Sequence, residues 1–288
     1  MRSTGTAVLV GCGALFGLSY VLVRDVVPAT GPVGVTVVRT LIGGTVLLLA
    51  ARAAGQRPRW RRWRSYLMLG ALSAAVPFSL ISLSMLSLNA GTAAVLNASS
   101  PLFALGFDVL QRRRRPGWGQ LAGLALAIAG VSLAMASRGL HLGDGGAVGV
   151  PAGQAGAAVF AYGGFFAARH FPDEAPAALA AGQQLAACVL LAPALLLVPV
   201  RAAPTGGLVL RLAVLGVAGS ALAYLLFYRL VAAEGPARAA NVNLLVPLFG
   251  VLWGWALLSE PVPPVSVAGM AATVAGLFLV LRERPAAG

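Results

Sequence analysis

Three polar features stand inside apolar stretches of this sequence and are the first candidates for chemistry. One is a single arginine, Arg39, and the others are two Asn-x-x-x-Pro patterns, Asn97 with Pro101 and Asn243 with Pro247. A charge within an apolar stretch is costly unless protein groups or a ligand face it, so Arg39 is a candidate contact for a substrate carboxylate. The alternative interpretation is a structural tie, in which the side chain reaches outward or bonds backbone carbonyls.

The Asn-x-x-x-Pro pattern has a specific physical consequence. Proline lacks an N–H and clashes with the carbonyl four residues earlier, which belongs to Asn97 for Pro101 and to Asn243 for Pro247. Each break frees a backbone acceptor beside an amide side chain, and a membrane tolerates this only where the break faces protein or water. We predict that the prolines are hinges and the asparagines are substrate contacts. The competing interpretation is that each asparagine only ties down nearby backbone or a neighbouring helix.

Other polar side chains in the apolar stretches are weaker candidates for the same substrate site, because serine in membrane helices more often serves close packing. They are Ser19, Tyr20, Ser82, Tyr162, Gln183 and Tyr224. The sequence has no phosphate-binding loop, catalytic cluster, metal-ligand spacing or disulfide pattern. We therefore expect no enzyme activity, no cofactor and no metal.

The elements that position these residues must be membrane helices. The chain of 288 residues is 59% hydrophobic and only 10% charged, and its mean hydropathy is +0.86. Soluble domains have about a quarter of their residues charged. The net charge of +13 sits on arginines in short gaps between apolar runs, so nucleic-acid binding is not expected. We predict an all-α, multi-pass membrane protein whose surroundings are the lipid bilayer.

Ten apolar segments are long enough to cross about 30 Å of hydrocarbon at about 1.5 Å per residue. Their predicted boundaries are 5–23, 33–51, 66–88, 92–110, 118–136, 147–167, 176–199, 207–231, 238–258 and 264–281.

The sequence also contains an internal duplication. Residues 93–133 align without a gap on residues 239–279, with 12 identities in 41 positions. We predict two repeats of five helices, over 1–140 and 145–284. Because five is an odd number, the second repeat enters the membrane upside down, which is the inverted-repeat plan typical of secondary transporters.

The distribution of arginine predicts the orientation. With the N-terminus inside, the cytoplasmic face carries 16 arginines and the outer face 4. Because positively charged loops stay in the cytoplasm, both termini are predicted to be cytoplasmic.

The second half carries Gly219-Ser-Ala-Leu-Ala-Tyr-Leu-Leu-Phe-Tyr-Arg229, Val246-Pro-Leu-Phe-Gly250 and Leu257-Leu-Ser-Glu260. With these segments it resembles the second EamA domain of the drug/metabolite transporter superfamily. The first half resembles the family more loosely, through residues 15–17, Arg39, residues 93–94 and residues 101–103. The resemblance implies a ten-helix carrier of small metabolites such as amino acids in the bacterial inner membrane.

We therefore expect a secondary transporter, an exporter or a facilitator, that works by alternating access as a monomer or homodimer. The alternative is a non-transporting membrane scaffold or an integral membrane enzyme. A central polar cavity would favour transport, and converging catalytic residues would favour an enzyme. Because the acidic residues lie in loops or near helix ends, the sequence offers no titratable group at the midplane for proton coupling.

Overall fold

The computed structural model describes residues 3–88, 95–112, 116–136, 146–196, 205–259 and 261–282. Within these ranges the chain forms helices and short connections and no strand. We group the main helices as α1 to α9. Their bounds are α1 Ser3–Ala53, α2 63–87, α3 Ser100–Arg112, α4 Trp118–Ala136, α5 Gly146–His170, α6 Pro176–Leu191, α7 206–234, α8 236–258 with a turn at 240–241, and α9 Pro264–Arg282.

Seven segments of the described ranges are long and apolar enough to cross a membrane by length and composition. They are Gly5–Ala53, Trp60–Ile81, Trp118–Ala136, Pro176–Leu196, Gly206–Glu234, Pro236–Leu257 and Pro264–Arg282. Large apolar side chains such as Leu49 and Trp255 are exposed on the outside of the bundle, which suits contact with lipid. The prediction of an all-helical, multi-pass membrane protein is confirmed.

Helix α1 contains the first two predicted helices. The sequence predicts separate helices over 5–23 and 33–51, and the structure has two helices that meet at a kink, with helical geometry extending through Pro28 and Pro32. Only Gly31 departs from it, with φ 70° and ψ 164°, a conformation that glycine adopts without a Cβ clash. Both halves of α1, residues 3–30 and 32–53, line one cleft, so the chain folds back at Gly31.

Helices α2 and α7 each contain one π-helical stretch, Ala71–Ala75 and Val217–Leu222. Their first residues are 146 positions apart, which is the shift of the sequence repeat. A π turn replaces the regular i→i+4 hydrogen bonds and frees backbone carbonyls for other donors. Both stretches are rich in small residues, so neighbouring helices approach these carbonyls closely.

Helices α4 and α9 pack backbone to backbone through glycines. A Cβ on Gly123 would lie 2.8 Å from the carbonyl oxygen of Gly276, and a Cβ on Gly130 would lie 2.7 Å from that of Gly269. The contacts run in opposite order along the two helices, so α4 and α9 are antiparallel. Both ends of α9 lie 146 positions after the ends of α4.

Candidate functional site

A cleft opens between the two halves of α1 and helix α2. Its empty volume is about 490 Å³, counting the open mouth. Apolar side chains form most of its wall, with three neutral polar groups and one charge. The lining residues are Phe16, Ser19, Tyr20, Val23, Val35, Thr36, Arg39, Phe78 and Ile81.

Arg39 is the charge in this cleft, and it is only 5% exposed. Its Nε donates to the Ser220 hydroxyl at 2.9 Å, and its Nη2 donates to the Gly219 carbonyl at 3.0 Å. The guanidinium carbon lies 4.4 Å from the ring centroid of Phe78. No carboxylate in the described ranges lies within ion-pair distance of Arg39. A guanidinium has five N–H donors, so donors remain for an anionic group in the cleft.

The π-helical stretch of α7 explains why backbone is available to Arg39. The stretch takes the carbonyl of Gly219 out of the regular helical ladder, whereas the carbonyl of Ser220 still accepts the backbone N–H of Ala223. Arg39 bonds the first carbonyl, and the amide nitrogen of Gln184 donates to the second at 3.3 Å. The arginine is therefore held by helix geometry, and its charge has no compensating acid there.

Tyr224 lies behind the cleft wall. It is fully buried, and its hydroxyl donates to the carbonyl of Ser73 in the π-helical stretch of α2. Its ring meets Phe16 edge-on with a centroid distance of 5.4 Å and Phe78 at 6.3 Å. Tyr224 thus supports two aromatic lining residues but does not line the cleft.

The two asparagines of the repeated pattern meet in the interior. The Asn97 amide nitrogen donates to the Asn243 amide oxygen at 3.3 Å, and the residues are 5% and 3% exposed. The Asn243 nitrogen has no hydrogen-bond partner in the described ranges. The hydroxyl of Tyr20 lies beside Asn97, so this pair is connected to the cleft through a lining residue.

The two prolines occupy different local positions. Pro101 is in the first turn of α3, whereas Pro247 lies inside the helical segment Val242–Leu258. The carbonyl of Asn97 accepts a hydrogen bond from the Ser100 hydroxyl at 2.8 Å, so a nearby side chain satisfies it.

Three other predicted site residues are not part of the cleft as the structure describes it. Gln183 is fully buried on α6, and neither of its amide atoms has a hydrogen-bond partner in the described ranges. Tyr162 is 42% exposed on α5, with its ring against Phe107. Ser82 belongs to α2, and its side chain lies outside the described part of the chain.

Sequence reasoning missed three residues that shape the site: Thr36, Phe78 and Ser220. Thr36 could have been found, because it precedes Arg39 by three positions and so shares its helix face. Ser220 had no such signal, because hydrophobic periodicity does not reveal the π turn that presents it.

A second polar cluster, which we name the Glu174 latch, lies at the end of the bundle that is opposite the cleft. The side chain of Glu174 is 2% exposed, and its Oε2 lies 3.8 Å from the Arg59 Nε. Its Oε1 accepts the backbone N–H of Arg59 at 3.0 Å and the hydroxyl of Tyr66 at 2.6 Å. Arg62 donates to the carbonyl of His170 at 2.9 Å. These bonds join the connection before α2 to the connection after α5.

The fold and the cleft define a multi-pass helical membrane protein with an open cleft that holds one buried cation. The model of the EamA-like transporter family matches residues 3–136 and again residues 148–282. The chain belongs to the EamA-like transporter family. The family indicates a transporter of small molecules and not an enzyme.

Relatives agree with this family. An uncharacterized transporter of Archaeoglobus fulgidus is 24% identical over 272 residues, which cover 93% of this chain and 95% of the relative. A "probable terminal-alkyne amino-acid exporter" of Streptantibioticus cattleyicolor is 25% identical over 261 residues, covering 88% and 85%. One solved crystal structure superposes with a TM-score of 0.81 at 20% identity over 98% of this chain and 99% of that chain. Its likeness supports the fold.

Proposed function

We propose that the chain is a secondary transporter that moves amino acids, or similar small carboxylates, across the bacterial inner membrane. It works by alternating access between two inverted repeats of five helices, over 1–140 and 145–284, as a monomer or homodimer. Transport in the outward direction, as an exporter or a facilitator, is the direction we propose. The observation that carries the proposal is Arg39, a buried cation that faces the cleft without a carboxylate partner in the described ranges.

The inverted-repeat arrangement is supported by contacts that recur at the shift of 146 positions. The π-helical stretches of α2 and α7 begin 146 positions apart, and the side chains of Asn97 and Asn243 meet each other. Helices α4 and α9 occupy equivalent positions in the two repeats and run antiparallel, as inversion requires. If the two halves of α1 are counted separately, the nine helices of the described ranges become ten.

Alternating access is supported by the positions of the cleft and the latch. The cleft lies on the side of the bend at Gly31, whereas the Glu174 latch lies beyond the far end of α1. The arginine distribution supports a cytoplasmic latch and a bend on the outer side. We therefore propose that this conformation has its cleft open to the outside and its cytoplasmic side closed, with both termini cytoplasmic.

The substrate class is supported by the chemistry of the lining. Arginine matches a carboxylate with paired N–H donors, and the apolar wall suits an uncharged, apolar remainder. The name of the S. cattleyicolor relative, an amino-acid exporter, agrees with a zwitterionic substrate.

Purified protein in liposomes tests this proposal with labelled leucine, a basic amino acid, an organic amine and a nucleoside. We expect uptake and efflux of leucine above the rate of empty liposomes, and no flux of the amine. The Arg39→Gln variant, reconstituted at the same protein amount, should lose the leucine flux. Absence of flux for every compound, with correctly folded protein, would contradict the proposal.

A further inference from the structure

We infer that Ser19 and Thr36 recognise the substrate ammonium group and so select α-amino acids over simple carboxylates. This inference rests on the proposed function and adds the second half of substrate recognition. Arg39 accounts for a carboxylate, but nothing described so far accounts for a positive charge on the same substrate.

The hydrogen-bond directions of the two hydroxyls carry the inference. The Ser19 hydroxyl donates to the carbonyl of Leu15 at 3.0 Å, and the Thr36 hydroxyl donates to the carbonyl of Pro32 at 2.8 Å. A hydroxyl has one proton to donate and two lone pairs to accept with. Because each proton is committed to its own helix, each oxygen offers the cleft acceptors only.

The positions of Thr36 and Ser19 place these two acceptor oxygens close to Arg39. Thr36 precedes Arg39 by three residues on one helix face, at a distance of about 5–6 Å between Cβ atoms. Ser19 lies directly against Gly219, leaving no room for a Cβ on that glycine, and the carbonyl of Gly219 accepts from Arg39. A donor group for a carboxylate and acceptors for an ammonium therefore border one cavity.

Neutral acceptors suit a zwitterion better than a carboxylate side chain would. An Asp or Glu beside Arg39 would neutralise the cation and compete with the substrate carboxylate. Among the residues that the structure describes, the cleft has no acidic lining residue. A substrate amine without a carboxylate would meet the positive charge of Arg39 and only neutral acceptors, so it should bind poorly.

The remainder of the wall defines what else the substrate carries. Phe16, Val23, Val35, Phe78 and Ile81 offer no hydrogen-bonding side chain. The site thus fits an α-amino acid with an apolar side chain, for which leucine is a suitable probe. The matched carboxylate is 4-methylpentanoate, which is leucine without its amine.

The test measures counterflow of tracer leucine in proteoliposomes while unlabelled leucine or 4-methylpentanoate is titrated. At tracer concentrations far below KM, the half-inhibiting concentration reports the affinity of the competitor itself. For Ser19→Ala and Thr36→Val we expect the value for leucine to rise about tenfold, the loss of one hydrogen bond to a charged group. The value for 4-methylpentanoate should stay within about twofold of wild type.

Thr40→Val is the matched control. The Thr40 hydroxyl also bonds its own helix, donating to the carbonyl of Thr36 at 2.8 Å, but Thr40 is not among the lining residues of the cleft. This variant should leave both half-inhibiting concentrations unchanged. Where a variant has too little flux to titrate, thermal stabilisation of the detergent-purified protein by each compound gives the same comparison.

The outcomes separate the two claims. Equal weakening of leucine and 4-methylpentanoate by Ser19→Ala and Thr36→Val, with leucine transported by wild type, would overturn this inference alone. Wild-type protein that neither transports leucine nor is stabilised by it would overturn the proposed function and this inference together.

Discussion

The two π-helical stretches occupy equivalent places in the two repeats, yet different side chains bond their backbone carbonyls. In α2 the carbonyl of Ser73 accepts from the hydroxyl of Tyr224, and both groups are neutral. In α7 the carbonyl of Gly219, 146 positions later, accepts from the guanidinium of Arg39. The position equivalent to Arg39 in the second repeat is Leu185. One half of the molecule therefore carries the charge.

This difference shows what duplication keeps and what it allows to change. Two backbone features recur, the π turns and the glycine contacts between α4 and α9, and so does one pair of side chains, Asn97 and Asn243. Side-chain chemistry differs, because only one carbonyl partner faces the cleft. A single off-centre cation gives the substrate one preferred orientation, which a symmetric pair of arginines would not.

The largest expected effect comes from removing the charge of Arg39, which bonds the π-helical stretch of α7. Arg39→Gln should lower leucine flux about 100-fold, because it loses charge-assisted hydrogen bonds to the substrate carboxylate. Arg39→Lys keeps a charge but not the planar fork of donors, so we expect about a tenfold loss.

Arg211→Gln is the matched control for Arg39. Arg211 pairs with Asp25 at 2.9 Å, and both side chains are about half exposed. Exposed pairs contribute about 0–1 kcal/mol, so flux should stay within about twofold of wild type. An equal loss of flux in the Arg211 and Arg39 variants would contradict a specific role for Arg39.

The next largest effect concerns the pair that both repeats share. Asn97→Ala and Asn243→Ala should each lower flux about tenfold, since each leaves the other amide buried without its partner, at about 1–3 kcal/mol. The double variant should lose less than the product of the single losses, because the two residues share one hydrogen bond. Normal flux in both single variants, with normal protein amounts in the membrane, would make the pair and its prolines structural.

A smaller effect distinguishes the carbonyl of Ser73 in α2 from the carbonyl of Gly219 in α7. Tyr224→Phe removes the donor to the Ser73 carbonyl behind the cleft wall. We expect the unfolding temperature to fall by a few degrees, from a loss of about 1 kcal/mol, with little change in flux. Ser220→Ala removes one partner of Arg39, so it should reduce flux several-fold with a similar change in stability. The reverse pattern would place the functional carbonyl in the first repeat.

The smallest expected effect is that of a pH gradient. Within the described ranges, no acid or histidine lines the cleft, and the arginine keeps its proton at working pH. With equal leucine on both sides of the liposome membrane, an imposed pH gradient should therefore produce no net accumulation. Accumulation that Asp108→Asn abolishes would show that a carboxylate drives transport.

The sequence predicted several helices closely because the length of an apolar run determines them; α4, for example, has the predicted bounds 118–136. It also predicted that Asn97 and Asn243 are related residues, since the repeat shift joins them. It did not predict how short the connection between the first two helices is, because apolar runs do not show that Gly31 alone bends the chain. It also did not predict that Tyr162 is exposed, because an isolated polar residue in an apolar stretch does not reveal which face of the helix is buried.

The most direct test of the central claim is competition on the wild-type protein. Tracer leucine counterflow is measured with equal concentrations of unlabelled leucine or 3-methylbutylamine, which is leucine without its carboxylate. If Arg39 holds the carboxylate, leucine should inhibit fully and the amine should leave the flux almost unchanged. Inhibition by the amine as strong as that by leucine would contradict the account.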